Sequence, residues 1–302
     1  MKSKRTFLFL ALTATSIWAS PAGDFYFHPA AGVDVVWDAP TNLPNTLPIY
    51  ETSPRNFPPE VISNAVSLAS FTERDLVFSN QNLIRYQDKK GEKWTRFLNI
   101  LPEHSQILYH QRTGPTSPAK GVPDEQEVSK LAFENLALFG IDRSQVCELP
   151  ENQKVELCPG STNVCSRGVF LTRTVAGSGV RTIGFQIDFG SHGQIRDFYL
   201  CWPTWTSSGS RPVVTVPQII QWLKDGRMLP TEKELPDKSK MQDLEQATKL
   251  LVTGFEIHYG QGRFGELPSP ENENLVSPFG VLKGTAFMES TNIDFTLYAP
   301  IF

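Results

Sequence analysis

The sequence predicts an α+β fold made of tandem modules, each a helix followed by a three-stranded antiparallel sheet. Three segments with helical periodicity begin near residues 58, 124 and 216. Each is followed by runs in which apolar and polar residues alternate, and short glycine-containing segments separate many of those runs. A helical period followed by a strand period is typical of a helix that covers one face of a small sheet. Its recurrence along the chain indicates a repeated unit.

The predicted helices have recognisable ends. Each begins beside a residue that favours a first turn. This residue is either a proline, whose missing N–H needs no partner there, or a side chain that can accept a backbone N–H. Glycine follows the second and third helices, as is common where a helix ends. The predicted helices are 58–70, 124–139 and 216–225, with a shorter one at 240–248.

The strand pattern is clearest in the middle of the chain. In the run 182–189, Ile or Phe alternates with polar residues or glycine, so one face of this strand is expected to be buried. Glycine-rich turns connect it to the runs on either side, which predicts an antiparallel meander. The predicted strands are 76–86, 93–100, 106–110, 169–175, 182–189, 196–202, 255–259, 279–287 and 293–298, with one more near 33–37 or 47–50.

The first 20 residues have the features of a secretory signal peptide. Three basic residues precede an apolar stretch at 7–18, and small residues suited to cleavage follow at 19–22. The alternative, a membrane anchor, requires about 20 apolar residues, and this stretch is shorter and interrupted by threonine and serine. The protein is therefore predicted to be secreted, with no membrane association after signal removal.

Two domains are predicted beyond the signal peptide at 1–20. Residues 113–123 are rich in Gly, Pro, Ser and Thr, as linkers often are. They divide an N-terminal α+β domain, 22–115, from a C-terminal α+β domain, 116–302, which holds two modules and the cysteines. Signal removal takes the formal net charge from −4 to −7, because the signal carries three basic residues and no acidic ones. This charge disfavours nucleic acid as a partner.

Four cysteines predict two disulfides, because an even number in an exported chain is typical of a disulfide framework. They are Cys147, Cys158, Cys165 and Cys201. The spacing lacks the C-x2-C pairs of zinc ribbons, so no metal site is predicted. Three pairings are possible, and the spacing does not choose among them.

The sequence contains no assembled catalytic or cofactor motif. Residues 260–265 match G-x-G-x-x-G, but Pro268 and Pro270 follow where a dinucleotide site needs a helix. Neither G-x-S-x-G nor His-Glu-x-x-His occurs. No cofactor and no catalytic residue are therefore predicted.

Three residues are candidates for a binding surface. Trp205 lies past the end of a predicted strand, whereas Trp202 is expected in the core. His192 lies in a predicted turn, and Asp188 precedes it on the polar face of a strand. Glu256 is a further carboxylate on a predicted polar strand face.

One long stretch of the chain resembles an uncharacterised class of secreted proteins. The residues Gly168 to Arg173 (GVFLTR) lead into Ile-x-Phe-x-Ile-x-Phe at 183–189 and then FYLCWP at 198–203. Segments that add to this pattern are 259–266, 277–279 and 298–301. The chain is similar to secreted, fungal-type proteins with tandem PepSY or cystatin-like modules. The resemblance implies helices on curved sheets and, because PepSY-like units occur beside proteases as inhibitory or chaperoning segments, an extracellular protein partner.

These observations predict a secreted, non-enzymatic binding or inhibitor-like protein that acts on an extracellular macromolecule, either a protein or a glycan. One alternative is a glycan-directed hydrolase in which carboxylates such as Asp188 and Glu256 meet in a cleft. Another is a carbohydrate-binding module in which Trp205 stacks on a sugar ring.

Overall fold

The computed structural model defines residues 26–90, 93–111, 120–175, 177–230, 238–261, 274–289 and 291–302. The predicted signal peptide, 1–20, and the predicted domain boundary at residue 115 lie outside these ranges, so both stay predictions. Of the helices within these ranges, none combines the length and apolar character needed to span a bilayer.

The described residues form four α-helices and 15 strands. The helices are α1 (Pro59–Leu68), α2 (Glu125–Ala137), α3 (Val216–Lys224) and α4 (Lys238–Glu245). The strands are β1 (Asp34–Trp37), β2 (Thr46–Ser53), β3 (Leu76–Ser79), β4 (Ile84–Lys90), β5 (Lys93–Leu101), β6 (Gln106–Gln111), β7 (Val146–Leu157), β8 (Val164–Val175), β9 (Ser178–Phe189), β10 (Ile195–Cys201), β11 (Thr204–Pro212), β12 (Leu229–Pro230), β13 (Lys249–Gln261), β14 (Leu275–Phe287) and β15 (Asn292–Ala299).

The predicted fold class, tandem α+β modules of one helix and three strands, is wrong. The protein is mostly β, and its described strands join into one hydrogen-bonded sheet with parallel and antiparallel pairs. Alternation indicates which face of a strand is buried, but it does not indicate which strand lies beside it. Strands distant in sequence therefore pair, for example β2 with β14 and β6 with β10.

Eight strands form an antiparallel region in the order β7-β8-β9-β10-β6-β5-β4-β3. It has two halves, and in each half four strands, not three, follow a helix. The last strand of each half lies beside the last strand of the other, so neither half is a closed module. Phe198 in β10 is opposite Tyr109 in β6, and their rings stack with centroids 5.3 Å apart. The join between the halves is therefore part of the core.

Helices α1 and α2 cover one face of this antiparallel region. Val61 of α1 and Val128 of α2 belong to the same buried cluster as Ile187 and Phe198 of the strands. At the start of α2, the Asp124 carboxylate accepts the backbone N–H of the third helical residue, as its sequence position predicts. Because side chains alternate along a strand, the neighbours of these apolar residues point to the opposite face, which we call the outer face.

The long strands β13 and β14 organise the rest of the sheet. They pair with each other along most of their length, β14 also pairs with β15, and β1 pairs with β13 in parallel. Apolar residues of α3 and α4, including Ile219 and Leu244, pack with Leu250 and Phe295 in a second buried cluster. A short parallel contact between β13 and β9, at Tyr259 and its neighbour, links this part to the antiparallel region.

One of the two predicted disulfides is present. Cys158 is linked to Cys165 at the turn between β7 and β8. The predicted second disulfide is not formed, and Cys201 carries a buried free thiol. Cys147 and Cys201 lie in one cross-strand row but three strand spacings apart, about 14 Å. A disulfide requires Cα atoms within about 7 Å, so this sheet keeps the two residues apart.

Candidate functional site

A row of cross-strand neighbours on the outer face carries several charged side chains. Residues directly opposite each other in paired strands project from the same face of a sheet. The register therefore brings five residues of β7, β8, β9, β10 and β6 into line. In order across the sheet they are Lys154, Gly168, Asp188, Asp197 and His110.

Asp188 is the most deeply placed member of the row, with only 5% of its side chain exposed. Its Oδ2 lies 3.2 Å from Nζ of Lys154, and the amide of Gln186 donates to its Oδ1 over 3.4 Å. A Cβ at Gly168 would lie 1.8 Å from that Oδ1. The carboxylate therefore occupies the space that any larger side chain at 168 would fill.

Asp197 forms a hydrogen-bonded pair with His110 on the neighbouring strand, through Oδ1 of the first and Nδ1 of the second. Burial raises the pKa of Asp197, and the negative charge of Asp188 raises it further, whereas His110 opposes this effect. The Asp197 side chain is 29% exposed and that of His110 is 43% exposed. The pair thus combines a perturbed carboxyl group with access from solvent.

A bulge in β10 places one extra residue, Arg196, between the positions that pair with β9. Its guanidinium lies 2.7 Å from Oε2 of Glu156, which also accepts the hydroxyl of Ser166 over 2.8 Å. The Ser166 hydrogen bond is the main cause that lowers the pKa of Glu156. This neighbouring network holds Arg196 beside Asp197.

Aromatic rings continue the row beyond His110. Phe97 is the partner of His110 in β5, and their ring centroids are 5.6 Å apart. Trp94 lies 5.0 Å from Phe97 and 6.4 Å from His110, measured between ring centroids. Both rings are half-buried. We call Trp94, Phe97, His110, Asp197 and Asp188 together the carboxylate–aromatic row.

The structure does not bring the three sequence candidates together. Asp188 lies in the row. His192 is exposed, its backbone is left-handed, and its ring lies against the backbone of Gly121. Trp205 is in β11, beside Tyr50, with ring centroids 5.9 Å apart. Trp202, directly after the end of β10, is buried, as the alternation of the residues before it indicates.

Glu256 has partners of its own, far from Asp188. It lies 2.6 Å from Nζ of Lys283 and 3.1 Å from the ring of His258 on the β13–β14 side of the sheet. Its hydrogen bond to Lys283 is the main cause that lowers its pKa. The part of β9 that contacts β13 lies about 27 Å along the strand from Asp188. The structure therefore does not bring these two carboxylates together.

Sequence reasoning missed Asp197, which completes the row. The turn between β9 and β10 was predicted, so the neighbouring strands were expected to pair. The bulge at Arg196, however, shifts their register by one residue, and the alternation of apolar residues does not show this shift. The pairing of β10 with β6, which brings in His110, has no local signal at all.

No protein-family model matches the chain, and a search of curated proteins finds no significantly similar sequence. The resemblance to PepSY or cystatin-like proteins is therefore not tested by these comparisons. Within the described ranges, no three His, Cys, Asp or Glu side chains gather as a metal-ligand set.

Proposed function

We propose that this protein is a secreted, non-enzymatic binding protein and that the carboxylate–aromatic row binds an extracellular glycan. The observation that carries the proposal is the continuity of rings and carboxylates: Phe97 contacts His110, and His110 is bonded to Asp197. The signal-like N terminus and the Cys158–Cys165 disulfide support an extracellular location.

The chemistry of a sugar matches this combination of groups. A pyranose presents C–H groups on its faces, which pack against aromatic rings such as those of Trp94 and Phe97. Its hydroxyl groups donate hydrogen bonds, which a carboxylate such as Asp197 accepts. Asp188 lies too deep to contact a ligand directly, and its role is to influence Asp197.

The charge of the row favours neutral and amino sugars over acidic ones. Asp188 and Asp197 are cross-strand neighbours, and a third carboxylate beside them would be repelled. An amino group or a hydroxyl group on the ligand would instead interact favourably with Asp197. We therefore expect a neutral or amino-sugar polymer to bind better than a uronic acid polymer.

The test is isothermal titration with cellohexaose, a neutral probe, and a chitosan hexamer, an amino-sugar probe. Wild type is expected to bind at least one of them. Phe97→Ala removes a stacking ring and Asp197→Asn removes the anionic acceptor. Each is expected to weaken binding by about tenfold, which corresponds to about 1.4 kcal/mol.

Phe78→Ala is the matched control, because Phe78 is a 48% exposed ring on β3, outside the row. It should bind as wild type does, with far-UV circular dichroism confirming that all variants are folded. Absence of binding to both oligomers, or equal affinity in all variants, would contradict the proposed glycan site. Such a result would leave an extracellular protein as the remaining class of binding partner.

One observation favours a second candidate function, glycan hydrolysis. A general acid is a carboxyl group whose pKa lies above its ordinary value, so that it holds a proton to donate. Asp197 has a raised pKa, and the buried Asp188 beside it contributes to that shift without contacting a substrate. New reducing ends released from either oligomer, and lost in Asp197→Asn, would identify a hydrolase. Binding without release of reducing ends supports the non-enzymatic proposal.

A further inference from the structure

A second cluster lies at the other end of β10, around an arginine between two indole rings. Cζ of Arg173, in β8, is 4.5 Å from the ring centroid of Trp202 and 3.6 Å from that of Trp205. One of its N–H groups donates to the carbonyl oxygen of Pro203. Trp202 is five positions after Asp197 in the sequence, so the cluster lies about 17 Å from the carboxylate–aromatic row.

Backbone contacts place Arg55 next to this stack. Its N–H donates to the hydroxyl of Ser105 over 2.7 Å, and the carbonyl oxygen of Ser105 accepts the N–H of Trp202 over 2.9 Å. Arg55 also follows Ser53 of β2, whose cross-strand partner is Thr204 beside Trp205. Burial lowers the pKa of Arg55, and burial together with the charge of Arg55 lowers the pKa of Arg173 to about 10. Arg55 and Arg173 are both half-buried side chains in this part of the surface.

Apart from the bond to Pro203, the cluster has donors that lack a partner among the described residues. Within the described ranges, neither guanidinium has an Asp or Glu oxygen within 4.0 Å. The indole N–H of Trp205, whose ring stacks on Arg173, is buried, and no described residue offers it a hydrogen-bond acceptor. Adjacent like charges and a buried unpaired donor each destabilise a fold. A negatively charged acceptor is the group that would relieve all of these costs.

We propose that Arg55 and Arg173 bind a small oxyanion beside Trp205, in the form of a carboxylate, sulfate or phosphate group. A guanidinium presents its N–H groups in a planar fork that matches two oxygens of such a group. The two indole rings hold the guanidinium of Arg173 in place before a ligand arrives, which reduces the entropy lost on binding. This site is separate from the carboxylate–aromatic row and does not depend on the glycan proposal.

Isothermal titration with sodium sulfate, sodium phosphate and sodium acetate tests the proposal, with sodium chloride keeping the ionic strength constant. Wild type is expected to bind at least one anion. Arg55→Gln removes one charge and leaves the indole stack, and Arg173→Lys keeps the charge but removes the planar fork. Each is expected to weaken binding by tenfold or more. Binding of acetate alone indicates a carboxylate ligand, whereas binding of sulfate or phosphate indicates a tetrahedral oxyanion.

Arg227→Gln is the matched control, because Arg227 also lies over an indole ring, that of Trp222, at 5.8 Å. This variant should bind anions as wild type does. Thermal unfolding checks that each variant is folded. If Arg173→Lys does not fold, Arg55→Gln still tests the proposal. The proposal is overturned if wild type binds none of the three anions, if Arg55→Gln binds equally well, or if Arg227→Gln loses as much affinity.

Discussion

Replacing Gly168 with alanine tests whether the Asp188 carboxylate lies directly against the backbone of β8. Gly168 and Asp188 are cross-strand partners, and a Cβ at 168 would lie 1.8 Å from Oδ1 of Asp188. It would also lie 3.0 Å from the carbonyl oxygen of Ile187. Ordinary contact begins at 3.4 Å, so the carboxylate oxygen has to retreat by about 1.6 Å.

Two costs combine in Gly168→Ala. Forcing an extra carbon into a well-packed place costs about 1–3 kcal/mol. Moving the carboxylate also lengthens its 3.2 Å contact with Lys154, whose side chain is 60% exposed. Solvent screens such a pair, so its loss is expected to cost about 1 kcal/mol. The free energy of unfolding is therefore expected to fall by about 2–4 kcal/mol.

Urea denaturation followed by tryptophan fluorescence measures this change. Gly254→Ala is the matched control in strand β13, because the added Cβ would lie 3.4 Å from the nearest side-chain atom, Cβ of Lys283. It is expected to stabilise the protein by up to about 1 kcal/mol, since alanine restricts the unfolded chain. In the double variant Gly168→Ala/Asp188→Ala the clashing carboxylate is gone, so this protein should be more stable than Gly168→Ala alone.

Two results would refute this reasoning. If Gly168→Ala is as stable as wild type to within about 0.5 kcal/mol, the Asp188 carboxylate does not lie where the structure places it. If removing the Asp188 side chain does not recover any stability, the cost comes from the backbone contact and not from the carboxylate.

Two further predictions concern the pKa of Asp197 and the join between the halves of the sheet. Because burial and the charge of Asp188 raise the pKa of Asp197, the folded state keeps a proton that the unfolded chain has released. The contribution of Asp197 to stability should therefore fall as the pH rises from the ordinary aspartate range toward neutrality. Asp197→Asn should gain stability relative to wild type over that range in urea titrations, and a constant difference would contradict the assignment. Phe198→Ala, which removes the ring stacked on Tyr109, should cost about 3–5 kcal/mol and leave one unfolding transition. Two separate transitions would show that the halves fold independently.

The positions of the helices were largely predictable from sequence. The predicted segments 58–70 and 124–139 contain α1 (Pro59–Leu68) and α2 (Glu125–Ala137). Each predicted segment extends a few residues beyond the observed helix. A helix depends on contacts between residues three or four apart and on capping groups at its ends. Asp124 supplies such a group at the start of α2, and it is visible in the sequence.

Strands without an apolar face were not predictable. The strands predicted from the sequence do not include residues 204–212, and these residues form β11, most of whose side chains are exposed. These residues adopt strand geometry because β2 pairs with them from Thr46 to Ser53. Cross-strand hydrogen bonds to β2 stabilise the strand geometry of β11, although its side chains show no apolar alternation. The partner strand lies about 150 residues away in the sequence.

By itself, the sequence determined which segments become helices, which strand faces are apolar, and that Asp188 lies on a polar face. Only the tertiary structure decided that Asp188 lies beside Asp197 and His110, and that Trp205 stacks on Arg173 instead of joining Asp188. The physical reason is the distance along the chain over which each interaction acts. Helical periodicity and capping act within a few residues, whereas strand register and strand order depend on which distant edges meet during folding.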